Sequence, residues 1–300
     1  MTAPPACVIY NPHAGRGRAR KLIDRVRVWA GPVAELVATE GPGHGVELAR
    51  AATERGAERV IAAGGDGTVH EVANGLLQAN RPDTILGVWP LGSSNDYAFA
   101  LGLDRWWKAE GKVPLTATAV DVGRITGAGR EAFFVNCSGV GFNGMVAFES
   151  RKIRWLRSIP LYALAFLRAM WWHYQAPALS VRFDDREATR PTLALTVNVG
   201  KKEGGFPITL GAKLDDGRFD YLHVADVSRW ELVRYLPGLI VGKLPTNHPK
   251  LVSGTTSAVR VTGHTPLCVH ADGEFFCKPA DGVTEATFEM LPGRLRVELI

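Results

Sequence analysis

The sequence predicts an α/β domain built on a parallel sheet, followed by a second domain rich in β-strands. Three observations predict it. In the first third, apolar runs alternate with helically spaced segments across short glycine-rich links, the pattern of a parallel α/β sheet. After about residue 115, short strands punctuated by turn residues take over at the spacing of a β-sandwich. The chain has 300 residues, 46% hydrophobic and 22% charged, enough for two ordinary domains that each bury a core. The expected division is 1–115, rejoined by 294–300, and 116–293.

The elements follow in order. "ACVIYNP" opens as a short strand, and "RGRARKLIDRVRVWA" carries Leu22, Ile23, Val26 and Trp29 at helical spacing. "AELVAT" reads as a strand, "GVELARAATERG" as a helix and "ERVIAAGG" as a strand again. "TVHEVANGLLQAN" places Val69, Val72, Ala73, Leu76 and Leu77 on one helical face, and "TILGVWPLG" closes the series as a fourth strand. Later strands are "ATAVDVGRI", "EAFFVNCSG", "ALSVRFD", "TLALTVNVG", "FDYLHVAD", "AVRVTG", "PLCVHADG", "EATFEML" and "RLRVELI". Helical insertions are expected around 145–173 and 228–241.

Four scattered cysteines without a CxxC pair argue against a disulfide framework or a zinc site and favour a reducing compartment. The N-terminal residues lack the basic and apolar regions of a signal peptide. The longest apolar stretch, 159–172, is interrupted by Arg168 and falls short of the roughly 20 residues of a membrane span. A net charge of +5 favours anionic partners.

Three polar glycine loops follow strands of the first domain. In "AAGGDGTVHEVANGL", Gly64, Gly65, Asp66, Gly67 and Thr68 stand between a strand and a helix expected to begin near Thr68. A helix N-terminus with free N–H groups favours phosphate, and glycines let a ligand approach the backbone. Asp66 beside phosphate makes sense when Mg²⁺ or a transferring proton lies between them. Thr68 and Glu71 have capping-box spacing, so Glu71 is expected to satisfy the first helical turn. "YNPHAGRGRAR" follows the first strand and "WPLGSSNDYA" the fourth. Ligands gather at this edge of parallel sheets, so the three loops together describe a nucleotide phosphate site.

In that order and spacing, "NPHAGRG", "GGDGTVHE" and "PLGSSNDYA" resemble the catalytic domain of the diacylglycerol kinase family, specifically its soluble bacterial lipid kinases. "NCSGVGFNG" (136–144), "KLDDGRFDYL" (213–222) and "HADGE" (270–274) extend the likeness over nearly the whole chain. NAD kinases and phosphofructokinases carry GGDGT-like loops without this downstream set.

The resemblance implies ATP-dependent phosphorylation of a lipid hydroxyl, with the nucleotide between an α/β domain and a β-sandwich. It assigns ATP to Asn11, Pro12, His13, Ala14, Gly15, Thr39, Gly65, Asp66, Gly67, Thr68, Val69, His70, Glu71, Ser93 and Asn95; Ser93 stands where many relatives have threonine. It assigns Mg²⁺ to the Asp216 side chain with the backbone carbonyls of Lys213 and Arg218, in a network that Asp66 and Asp96 face, Asp96 as a metal residue and Asp66 as a catalytic one. Glu274 corresponds to the family's proton acceptor, the group an alcohol needs before it attacks phosphorus. Without the resemblance, "ADGE" and "DDGRFD" read equally as turns, and Asp220 as a strand-edge carboxylate. His13, His44, His70 and His270 lack metal-ligand spacing.

"SRKIRWLRSIPLYALAFLRAMWWHY" sets Arg151, Lys152, Arg154 and Arg157 beside an aromatic helix. That combination suits the interface of an anionic membrane, touched transiently from the cytoplasm at the inner face. Apolar residues on nearly every side of the helix argue instead for packing in the core. Two other functions remain open at this level, a kinase of a soluble metabolite and a nucleotide-binding module without catalysis. No nucleic-acid partner is expected, because the basic residues lack a recognition motif.

Overall fold

The computed structural model describes residues 6–103, 115–153, 155–156, 158–184, 186–245 and 248–300. Contacts divide the chain into two compact units, Met1–Asp121 with Pro292–Ile300, and Val122–Leu291.

In the first unit strands and helices alternate: β1 (Ala6–Tyr10), α1 (Arg18–Ala30), β2 (Glu35–Ala38), α2 (His44–Glu54), β3 (Arg59–Gly64), α3 (Asp66–Ala79), β4 (Ile85–Pro90) and α4 (Asp96–Ala100). The strands are parallel in the order β2-β1-β3-β4. Their near-continuous apolar runs bury Val8, Ile9, Ile61 and Leu86 completely, as expected of parallel strands covered on both faces. Tyr10 is level with Ala38 and Ala63, and Gly64 with Pro90, so the carboxyl ends of all four strands share one edge.

The second unit contains the second half of β5 (Thr116–Gly127), β6 (Arg130–Phe134), β7 (Cys137–Gly141), α5 (Phe142–Lys152), α6 (Ser158–Trp172), β8 (Ala178–Phe183), β9 (Arg186–Pro191), β10 (Ala194–Asn198), β11 (Phe219–Val224), α7 (Arg229–Val241), β12 (Leu251–Thr256), β13 (Ala258–Gly263), β14 (Val269–Ala271), β15 (Glu274–Cys277) and the first part of β16 (Glu285–Leu299). A six-stranded antiparallel sheet runs β12-β11-β10-β7-β14-β15. It faces β16, β13, β8 and β9, with β5 and β6 alongside, across a core in which Phe134 stacks on Phe219 and meets Phe288 edge-on. The other face of the six-stranded sheet is covered by α5, α6 and α7, which seat Phe142, Phe166, Met170 and Leu232 against Leu193 and Leu251. The α/β parallel sheet and antiparallel β-sandwich expected from the sequence are both found.

Several elements differ from the sequence reading. "EAFFVNCSG" is two strands, because the N–H groups of Val135, Asn136 and Cys137 turn to the carboxylate of Asp272 at the point where the chain bends. "EATFEML" and "RLRVELI" form the single strand β16, whose end pairs in parallel with β4 at Arg296–Ile85. Pro292 and Gly293 look like a stop, yet Gly293 N–H is satisfied by Asp121 Oδ1 at 2.8 Å and the strand continues. β9 and β12 lack an alternating apolar signal that would announce them as strands. The insertion around 145–173 is two helices, and α3 begins at Asp66, two residues before the expected start. Among the described residues no helix is long and apolar enough to cross a membrane.

Candidate functional site

The three glycine loops lie together at the carboxyl edge of the first unit's sheet. After β1, Asn11 Oδ1 accepts from His13 N–H at 2.9 Å and Asn11 O from Ala14 N–H at 3.0 Å, which coils Pro12–Gly15 into a tight turn. Gly15 and Gly17 sit at φ 58° and 84°, in left-handed backbone open to glycine. His13 is exposed and Ala14 buried; the side chains of Arg16, Arg18 and Arg20 lie outside the described residues. Thr39, nearly buried, continues the β2 edge with its N–H on Tyr10 O at 2.9 Å.

After β3 and β4 the loops touch backbone to backbone. A Cβ on Gly92 would come within 2.4 Å of Gly65 Cα, so neither loop has room there for a side chain. Asn95, left-handed at φ 52°, accepts Gly92 N–H through Oδ1 at 2.9 Å. Its own N–H donates to Asp66 Oδ2 at 2.9 Å, and Tyr97 N–H to Asp66 Oδ1 at 3.3 Å. The Asp66 carboxylate thus ties the start of α3 to the start of α4, a structural task that its setting among glycines did not announce. Asp96 is buried and Ser93 exposed. Gly65 caps α3 without a side-chain bond, and Gly67 borders open space.

Other residues of the segment turn inward. The expected capping box does not form: the Glu71 oxygens accept from Gly43 N–H at 2.8 Å and Gly45 N–H at 2.9 Å, so Glu71 secures the start of α2 rather than that of α3. The helix begins before Thr68, which leaves no N-cap position there for Thr68 to fill. Thr68 packs against Gly64, Val69 is in the core, and His70 O accepts from Asn74 Nδ2 at 2.9 Å.

In the second unit, "HADGE" is a two-residue hairpin between β14 and β15, with Asp272 and Gly273 both left-handed (φ 50° and 87°) and Ala271 paired to Glu274. The Asp272 carboxylate accepts three main-chain N–H groups at 2.9–3.0 Å. Glu274 is exposed at the start of β15, its Oε2 2.9 Å from the Arg151 guanidinium, which also donates to Gly273 O at 2.7 Å. Behind the hairpin, Gly273 N–H donates to His270 Nδ1 at 3.2 Å, so the proton of that imidazole sits on Nε2 and faces Glu203 at 3.1 Å. Asn143 Nδ2 completes the cluster, donating to Thr196 Oγ1 at 2.7 Å and to Glu203 at 3.0 Å. Glu203, Asp272 and the pairing of Arg151 with Glu274 were missed, since their partners lie far away in sequence.

Asp216 in the "DDG" turn and Lys213 before it are exposed, with Arg218 N–H donating to Asp216 Oδ1 at 3.1 Å. The Arg218 side chain turns to Thr255 Oγ1 at 3.1 Å and Asp184 Oδ2 at 3.4 Å. Asp220, half-buried on β11, has its carboxyl pushed up to about 6 by burial and by Asp216. Among the described residues no three His, Cys, Asp or Glu side chains cluster as metal ligands. One carboxylate with backbone oxygens is a donor set suited to Mg²⁺, which keeps much of its water. The Gly65–Gly92 contact and the open cap of α3 suit the phosphates of a nucleotide.

The chain is similar to known proteins along most of its length. Residues 5–125 match the family model described as diacylglycerol kinase catalytic domain, and residues 137–299 the one described as YegS C-terminal NAD kinase beta sandwich-like domain. A probable lipid kinase YegS-like of Chromohalobacter salexigens is 37% identical over 211 residues, 68% of this chain and 66% of that protein. A diacylglycerol kinase of Staphylococcus epidermidis is 29% identical over 279 residues, 90% of this chain and 85% of that protein. The crystal structure of a diacylglycerol kinase from Bacillus anthracis str. Sterne shares the fold with TM-score 0.72 at 18% identity, covering 100% of this chain and 98% of that one. With both family models matched in order along its length, the chain belongs to the diacylglycerol kinase catalytic-domain family of lipid kinases.

Proposed function

We propose that this chain transfers the γ-phosphoryl group of ATP to the hydroxyl of a diacylglycerol-like lipid at an anionic membrane surface. The observation that carries the reading is the backbone contact of the Gly65 and Gly92 loops at the carboxyl edge of a parallel sheet. The contact joins the two loops beside the N-terminus of α3, where Gly67 borders open space and no side chain caps the helix, a setting that favours a polyphosphate. The loop Asn11–Gly15, Thr39 and Ser93 border that edge and bind the rest of the nucleotide. Asp66 holds the Gly92–Asn95 loop in shape, and Asp96 is buried at the start of α4. Asp216, with the carbonyls of Lys213 and Arg218, would hold a Mg²⁺ ion, which offsets phosphate charge when bound. Glu274 takes the proton of the lipid alcohol, and the hairpin behind it fixes where that carboxylate stands. A lipid acceptor is favoured over a soluble metabolite because the curated relatives above are named for lipids.

Incubation with Mg²⁺, γ-labelled ATP and diacylglycerol in mixed micelles is expected to carry label into the organic phase. Glu274→Gln should lose about 10²–10⁴-fold in kcat, the range of a general base. Undiminished label in that variant would refute the assigned base. Label confined to aqueous products would refute the lipid acceptor.

A further inference from the structure

We infer that the outer faces of α6 and α7 form a docking surface for an anionic lipid bilayer. Each helix buries one side and leaves an apolar stripe on the other. On α6, Ala165, Phe166, Ala169 and Met170 are buried, while Pro160, Leu164, Leu167 and Trp171 recur at the spacing of a single opposite face, with Trp171 70% exposed. On α7, Leu232 is buried, while Trp230, Val233, Pro237 and Val241, three or four residues apart, share the opposite face, with Trp230 84% exposed. Arg229 Nε donates to Met170 O at 3.1 Å, joining the end of α6 to the start of α7. The next residue on each chain is one of these tryptophans, and Trp172, 62% exposed, follows Trp171.

The charge around the stripes selects the occupant. From Ser158 to Trp172 and from Arg229 to Lys243 the ionic side chains are Arg168, Arg229, Arg234, Lys243 and Glu231. Glu231 is engaged in the capping box of Ser228, and Arg168, over the Trp172 ring at 5.1 Å, is paired with Glu149 at 2.7 Å, which leaves Arg229, Arg234 and Lys243 as the cations beside the stripes. Tryptophan favours the boundary between headgroups and acyl chains, and cations beside it are drawn to anionic headgroups. Fifteen and thirteen residues are too short to span a bilayer, so these helices lie along its surface. Arg151 and Lys152 are committed to Glu274 and Glu149, which moves the electrostatic attraction from 151–157 to α6 and α7; Arg154 and Arg157 lie outside the described residues.

The choice of a bilayer rests on the lipid-kinase reading, so the test separates the two. Sedimentation with vesicles is performed without nucleotide, using phosphatidylcholine alone or mixed with phosphatidylglycerol. The native chain should bind the mixed vesicles with a blue shift of tryptophan emission, and less so at high salt. Trp171→Ala with Trp230→Ala should weaken that binding by about tenfold per tryptophan, while phosphorylation of a short-chain, water-soluble diacylglycerol stays unchanged. Equal vesicle binding by native and doubly substituted chains would overturn the surface. A native dimer that the same substitutions convert to monomer would also overturn it, by showing that a second copy covers the face. Absence of short-chain lipid phosphorylation in the native chain would sink the kinase reading instead and leave the vesicle result standing.

Discussion

At Asp272 one carboxylate accepts the N–H groups of Val135, Asn136 and Cys137, fixing the chain between β6 and β7 to the turn that presents Glu274. Replacement by alanine leaves those buried donors without that acceptor, a loss of roughly 3 kcal/mol at typical costs per group. If the hairpin positions the base, Asp272→Ala lowers kcat by about tenfold or more with KM for ATP nearly unchanged, and Asp272→Asn, which keeps an acceptor oxygen, recovers part of both. Steady-state kinetics at a temperature where both variants remain folded would check the split. A kcat equal to the native value would make Asp272 a stability residue only. The glycine loops were legible because their chemistry is local: a turn, an anion and a helix start fit within a few residues. Asp272, Glu71 and Glu203 were not, since their partners are 135, 26 and 67 residues distant, and only folding brings them together.

Between elements, Glu149 is the joint of the helical layer. Its carboxylate is 2% exposed and accepts from Lys152 Nζ at 2.6 Å, Arg168 Nε at 2.7 Å and His173 Nε2 at 3.1 Å, linking α5 to α6 and to the chain that leaves it. Burial pushes this carboxyl up, but the hydrogen bonds from Lys152, Arg168 and His173 outweigh it and hold it at about 2. A depressed carboxylate gives stability that is present above its unfolded value near 4.5 and lost as pH falls toward 2. Glu149→Ala should therefore cost about 3 kcal/mol at neutral pH, as expected when one partner of a buried ionic cluster is removed. Chemical denaturation should show the gap narrowing between pH 4.5 and 2; a gap constant across that range would deny the cluster its role. The sequence showed that 159–172 is apolar on nearly every side, which reads as interior. The structure reconciles that with three exposed tryptophans across α6 and α7 by burying one face and leaving the other bare. Hydrophobic pattern alone could not distinguish a buried second face from an uncovered one.

For the molecule as a whole, stability depends on pH through side chains that burial shifts away from their ordinary values. β11 carries two groups with opposite effects. His223 is buried, its Nε2 2.8 Å from Thr192 Oγ1, and burial together with Arg190 pushes its imidazole down to about 4. Between pH 6.5 and 4 the unfolded chain takes up a proton that the native His223 refuses, so stability falls as pH falls through this window. Asp220, raised to about 6, keeps its proton natively where the unfolded chain has already released it. Its contribution is full below 3.8 and is lost as pH rises through 6. The two slopes oppose each other and flatten the native profile between pH 4 and 6. Substitution separates them. His223→Gln should gain on the native chain as pH drops from 6.5 to 4, whereas Asp220→Asn should gain as pH rises from 4 to above 6. Calorimetry across this range should show the unfolding transition of each variant moving with pH in these two directions relative to the native chain. Parallel pH profiles for native and variant chains would mean that neither group titrates with folding.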